Sequence, residues 1–91
     1  MQREEFVGID VAKAHLDVAF KDETGCTRYA NDDAGISKLV EDLKSREVAL
    51  VVLEATGGYQ RQVLSELLAV GLPGVAVNPR QVRLRKGAGE A

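Results

Sequence analysis

The segment FVGIDVAKAHLDVAF, residues 6–20, decides the fold class because it holds two hydrophobic stretches joined by a short link. The first stretch is almost continuously apolar, which is typical of a central strand covered on both faces. In the second, Leu16, Val18 and Phe20 alternate with other residues, which is the period of an antiparallel strand. The link AKA is short enough for a hairpin. One acid, Asp10, interrupts the first strand, and an unpaired carboxylate is costly to bury.

Three more strands are predicted beyond the hairpin, whose own strands cover residues 5–11 and 15–21. The three additional strands cover residues 26–31, 48–54 and 74–78. The fourth, VALVVLE, is a continuous apolar run that ends in an acid, as a buried parallel strand would. The turn DETG precedes the third strand and ATGG follows the fourth, and both contain the glycine that tight turns favour.

Helical periodicity separates the later strands. The first helix has its apolar stripe at Ile36, Leu39, Val40 and Leu43, and either Asp32 or Asp33 can cap its start. The second has its stripe at Val63, Leu64, Leu67 and Leu68, and we expect it to end near Gly71. Pro79 can open a third helix through RQVRLRK.

The element order is therefore β-β-β-α-β-α-β-α. Right-handed crossovers would place strand four beside strand one and strand five beyond it. The sequence thus predicts an α/β fold with a mixed five-stranded sheet in the order 3-2-1-4-5 and helices on its faces. This is the ribonuclease H-like arrangement, which the nucleotide-binding halves of actin-like kinases also adopt.

Composition limits the class of protein. The 91 residues carry a formal net charge of −2, so the overall charge gives no electrostatic case for nucleic acid. A single cysteine, Cys26, excludes an intrachain disulfide and favours a reducing, cytoplasmic location. The polar start MQREEFV is unlike a signal peptide, and no apolar run is long enough to cross a membrane. Positive charge concentrates near the end, at Arg80, Arg83, Arg85 and Lys86.

Two acids lie at or near the ends of neighbouring strands of the predicted sheet. Asp10 lies near the end of strand one and Glu54 ends strand four, so both should emerge at the edge where open α/β sheets bind ligands. Two close carboxylates repel unless a cation joins them, and Mg²⁺ is held by one or two carboxylates plus water and phosphates. The alternatives are a solvated or capping Asp10 and a Glu54 that favours the next helix through its dipole.

Other polar residues near these acids have less specific interpretations. Asp17 should face solvent or pair with Lys13 or Lys21. Lys13 itself is a candidate phosphate contact, with a simple turn lysine as the alternative. In EATGGYQ, glycines such as Gly57 permit close approach to a phosphate at a helix start, although the Lys-Ser/Thr ending of a P-loop is absent.

Three blocks occur together and in order: VGIDVAKAHLDVA, VVLEATGGY and GLPGVAVNPRQVR. Their combination resembles the N-terminal part of transposases of the IS110 and IS1111 insertion-sequence families, over about residues 6–83. The resemblance implies a RuvC-like domain of the ribonuclease H-like fold with a metal-binding Asp-Glu-Asp-Asp tetrad. Asp10 in GIDVAK matches the first acid of that tetrad, and Glu54 in LEATGG matches the second.

The resemblance also implies parts that this sequence lacks. The last two acids normally follow NPRQVR in a stretch resembling AKTDRIDA, whereas this chain departs from the pattern after about Arg83. The family's C-terminal domain, with its nucleophilic serine, is absent as well. We therefore expect residues 1–79 to be an incomplete catalytic domain and residues 80–91 a basic helix with a frayed tail, inactive in strand exchange by itself.

The function expected from the sequence is that of a transposase or recombinase fragment. Asp10 and Glu54 would hold Mg²⁺ or Mn²⁺ for DNA cleavage and transfer. The nucleic-acid contacts would come from Lys13, Thr56, Gly57, Arg80 and Arg83. The resemblance further implies DNA as partner, a structured non-coding RNA, and a homo-oligomer. The alternatives are an actin-like or sugar-kinase-like nucleotide-binding fragment and a non-catalytic module that self-associates through an exposed sheet edge.

Overall fold

The computed structural model describes residues 5–21, 23–55 and 57–77, which form a five-stranded sheet and two helices. In chain order these are β1 (Glu5–Val11), β2 (His15–Phe20), β3 (Thr27–Ala30), α1 (Asp33–Lys44), β4 (Val48–Glu54), α2 (Arg61–Ala69) and β5 (Gly74–Val77). The strand order is β3-β2-β1-β4-β5. Strand β1 pairs antiparallel with β2 and parallel with β4. The predicted fold class and strand order are confirmed, while the predicted third helix and the boundary after residue 79 lie outside the described residues.

The hydrophobic core lies on one face of the sheet. In β1, Val7 and Ile9 are buried, whereas Phe6, Gly8 and Asp10 are exposed. The prediction that this strand is covered on both faces is therefore wrong for the described part of the chain, because α1 and α2 pack against the same face. The buried residues of both helices belong to one cluster with the strands, which includes Leu16, Val18, Ile36, Leu39, Leu43, Val51, Leu53, Val63 and Leu67.

Local chemistry sets the ends of the helices. The side chain of Asp32 accepts a hydrogen bond from the Gly35 N–H at 2.8 Å, so the predicted cap of α1 is confirmed at that residue. All four residues of the predicted apolar stripe of α1 are buried. In α2 the stripe is narrower, since Leu68 is 53% exposed. Neither described helix is long and apolar enough to cross a membrane.

The register between β1 and β4 contains one irregularity. Glu5 lies opposite Val48, but Phe6 lies opposite Leu50, so β4 carries one extra residue at this point. Such bulges re-aim the side chains that follow them. Beyond the irregularity the pairing is regular and brings Asp10 opposite Glu54.

Candidate metal and nucleic-acid site

Asp10 and Glu54 are direct neighbours across two parallel strands. They are register partners between β1 and β4, and neighbouring strands lie about 4.8 Å apart. Both residues are exposed and both line one groove on the face of the sheet opposite the described helices. Helix α2 begins only at Arg61, so Glu54 is not in its first turn and a helix-dipole role is not supported.

The two carboxylates form a donor set that a hard cation can use. Within residues 5–21, 23–55 and 57–77, neither one takes part in an ion pair. No group of three or more histidine, cysteine or acidic side chains in those ranges is arranged to hold a metal ion. Asp10 and Glu54 thus offer two carboxylates only. That number fits Mg²⁺, which is commonly bound through one or two carboxylates and completed by water and substrate phosphates.

A third acid, Asp17, lies on the other side of Asp10 as its register partner in β2. Its carboxylate accepts two hydrogen bonds from Arg28 on β3, from Nε at 2.8 Å and from Nη2 at 3.2 Å. This bidentate contact lowers the pKa of Asp17 and directs its carboxylate toward β3. The predicted pairing of Asp17 with Lys13 or Lys21 is wrong, because Arg28 is its direct partner across β2 and β3.

The groove has a shallow floor of small side chains. Behind the row of acids, Gly8 of β1 lies between Ala19 of β2 and Val52 of β4. A methyl group added at Gly8 would meet no atom within 4 Å. These residues, together with the acids, Arg28 and Cys26, line a space of about 630 Å³ that is open to solvent. A polymer backbone can therefore reach the carboxylates from this side.

Two loops follow β1 and β4 at the same edge of the sheet, and the side chain of Asn31 is hydrogen-bonded to both. The Nδ2 group of Asn31 donates to the Ala12 carbonyl at 2.8 Å and to the Tyr59 carbonyl at 3.4 Å. The first carbonyl belongs to the turn that exposes Lys13, and the second to the loop that contains Gly57. Sequence reasoning assigned Asn31 no role, and only its position directly after a predicted strand hinted at one.

The glycine loop has a backbone that other residues rarely adopt. Gly57 has φ of 80° and Gly58 has φ of 84°, values that strongly favour glycine. These φ values explain why glycine occupies both positions. Close approach of a phosphate to this loop stays a prediction. Of the other predicted contact residues, Thr56, Arg80 and Arg83 lie outside the described residues.

Comparison with known proteins supplies the family. Residues 7–90 match the family model of the DEDD transposases of the IS110 type, described as a transposase family. The match continues past residue 83, where we expected the resemblance to end. A search of curated proteins gave no match. Since the family model covers nearly all of the sequence, including both acids and the glycine loop, the chain belongs to the IS110-type DEDD transposase family.

Proposed function

We propose that this chain supplies part of the catalytic site of a DNA transposase, in which Asp10 and Glu54 bind a divalent metal ion for strand cleavage and transfer. The observation that carries the proposal is their register pairing on adjacent parallel strands, both exposed in one groove. Membership in a transposase family implies interaction with DNA. It also favours this function over the nucleotide-binding alternative, an actin-like or sugar-kinase-like fragment.

The role of each acid follows from its surroundings. Both carboxylates are exposed, so neither has to be desolvated before it binds a cation. Neither has a basic partner among the described residues that would compete with the cation. A bound Mg²⁺ or Mn²⁺ would supply Lewis-acid stabilisation of charge on the phosphate oxygens. The two side chains would hold the ion at the groove, where DNA can approach it.

The surrounding residues would position the DNA backbone. Lys13 is exposed in the turn after β1, where its charge can attract a phosphate. Gly57 leaves room for a phosphate to approach the loop after Glu54. Thr56, Arg80 and Arg83 remain predicted contacts of the same kind. A structured RNA partner, a homo-oligomer and a cytoplasmic location also stay predictions.

Self-association through a sheet edge remains the second hypothesis. In the described residues β3 and β5 are the edge strands, and unpaired strand edges can template pairing with another chain. A stable dimer that shows no metal affinity would favour that hypothesis over the catalytic one.

Mn²⁺ binding, followed by paramagnetic broadening of amide NMR signals, tests the metal role directly. In the wild-type chain, broadening should centre on Asp10 and Glu54. It should disappear in Asp10→Asn and in Glu54→Gln, because each change removes one of the two charged ligands. Glu41→Gln is the matched control, since Glu41 is an exposed acid on α1, away from the groove.

The outcomes separate a metal ligand from a surface acid. Equal broadening in wild type and Asp10→Asn would contradict the assignment of Asp10. Broadening that is also lost in Glu41→Gln would indicate diffuse attraction of the cation by surface charge. If the wild-type chain showed no broadening, two carboxylates would be insufficient and the proposal would fail for this chain.

A further inference from the structure

We propose that Arg28, held in place by Asp17, binds a phosphate of the DNA backbone in the same groove as the two acids. This inference rests on the proposed function only in taking DNA as the ligand. Arg28, Asp17, Asp10 and Glu54 form one row of register partners across β3, β2, β1 and β4. All four line the groove. The guanidinium of Arg28 therefore lies on one side of this row. The carboxylates of Asp10 and Glu54 lie on the other side, and neither forms an ion pair with a described residue.

The contact with Asp17 leaves most of the Arg28 guanidinium available. Asp17 takes hydrogen bonds from Nε and Nη2. Because a guanidinium has about five N–H donors, both donors of Nη1 and one of Nη2 have no hydrogen-bond partner among residues 5–21, 23–55 and 57–77. The side chain of Arg28 is 63% exposed, so phosphate can reach these donors from solvent. Bidentate pairing also fixes the plane of the group, which reduces the freedom that binding would otherwise remove.

The position of Arg28 suits a phosphate next to the one at the metal site. Strand β3 is two strands from β1, which corresponds to about 10 Å between backbones. The floor between them is low because it is formed by Gly8 and Ala19. A DNA strand crossing the sheet along this row would meet the acids and Arg28 in succession. Asp17 is neutralised by Arg28 and so does not add to the repulsion of DNA by Asp10.

The competing interpretation is a cross-strand ion pair that only supports the sheet. Such pairs are common on exposed faces, and this interpretation predicts no specific effect on DNA. Charge alone is a second source of ambiguity, because removing any arginine weakens DNA binding. The double variant Asp17→Asn/Arg28→Gln resolves it, since it removes one charge of each sign and leaves the net charge unchanged.

The experiment measures binding of a fluorescent DNA duplex to the full chain in Mg²⁺, over about 50 to 200 mM salt. The variants are Arg28→Gln, the double variant and the control Lys38→Gln, which removes an exposed positive charge on α1. Arg28→Gln and the double variant should bind about fivefold more weakly, with the salt slope reduced by about 0.9 for one lost phosphate contact. Lys38→Gln should keep the wild-type slope.

Repeating the series without metal in an Asp10→Asn/Glu54→Gln background separates this proposal from the metal assignment. The effect of Arg28 should persist there, because that background contains neither metal ligand.

Cys26, the only cysteine in the sequence, is exposed and lines the groove. Bound duplex should therefore slow its alkylation in the wild-type chain, and less so in Arg28→Gln.

Three results would overturn the proposal. One is a double variant that binds with the affinity and salt slope of wild type. Another is an effect of Arg28→Gln that vanishes in the metal-free background. The third is a wild-type chain that binds no duplex at the lowest salt. Failure of the Mn²⁺ test alone would leave the assignment of Arg28 standing, because the metal-free series does not depend on it.

Discussion

Replacing Asn31 with alanine should loosen the edge of the site while the fold persists. Its side chain joins the Lys13 turn to the glycine loop through hydrogen bonds to the carbonyls of Ala12 and Tyr59. The backbone N–H of Asn31 also donates to the Ala14 carbonyl at 3.0 Å. That bond survives in the alanine variant, so β3 should still reach its normal end.

The size of the effect follows from the two bonds that are lost. The bond to Ala12 is 2.8 Å long and partly buried, and such a neutral hydrogen bond contributes about 1 kcal/mol. The bond to Tyr59 is exposed and 3.4 Å long, so it adds little. The free energy of unfolding should therefore fall by about 1 kcal/mol, which corresponds to about a fivefold change in an equilibrium constant.

Amide hydrogen exchange followed by NMR locates the change. The N–H of Ala12, bonded to His15, and the N–H of Arg61, bonded to Gly58, report on the two loops. Both should exchange about fivefold faster in Asn31→Ala, since the contact that limits their local opening is gone.

Ser45→Ala provides the control for a general loss of stability. It removes the 2.7 Å hydrogen bond from the Ser45 hydroxyl to the Asp42 carbonyl, at the end of α1. Hydrogen exchange of the core amides should be faster in both variants, whereas exchange of the two loop amides should be faster only in Asn31→Ala. Equal loop exchange in the two variants would refute the reasoning, because Asn31 would then stabilise the fold without organising the site.

Two further predictions concern stability. Gly35→Ala should destabilise the chain by about 3 kcal/mol, because its methyl carbon would overlap the Ala30 carbonyl oxygen. Gly8→Ala should change stability little because that position is open, so equal denaturant midpoints for the two variants would contradict this prediction. Burial and the hydrogen bond to Asp42 raise the pKa of Tyr29 to about 12. The unfolded-state pKa is about 10, so the stabilisation is complete below pH 10 and is lost as pH rises toward 12. Urea unfolding between these pH values should show that decline in wild type and not in Tyr29→Phe.

The strand order was predictable because sequence periodicity is a local signal. Alternation in residues 15–21, the continuous apolar run of β4 and the stripe of α1 each follow from which faces are buried. Once the elements were known, crossover handedness left few topologies. The extent of burial was less predictable, since an apolar run such as that of β1 does not reveal whether a second layer covers the strand.

The pairing of Asp10 with Glu54 was predictable from the sequence, whereas the pairing of Asp17 with Arg28 was not. Asp10 lies near the end of β1 and Glu54 ends β4, and the topology makes these strands adjacent, so their pairing follows from the element order. The ion pair of Asp17 with Arg28 depends on the register between β2 and β3, which the turn before β3 sets. Sequence distance favoured the nearer lysines at positions 13 and 21, and that preference was wrong because sheet neighbours are set by register.

The extra residue in β4 links the packing of the core to the geometry of the site. If the pairing of Glu5 with Val48 continued without a shift, Asp10 would lie opposite Leu53, whose side chain is fully buried on the core face. A one-residue slip exchanges the two faces of a strand. The irregularity between Glu5 and Phe6 therefore does two things at once. It aligns the buried residues of β1 and β4 on the core face, and it brings the carboxylates of Asp10 and Glu54 side by side on the open face. Hydrophobic packing thus enforces the register on which the proposed metal site depends.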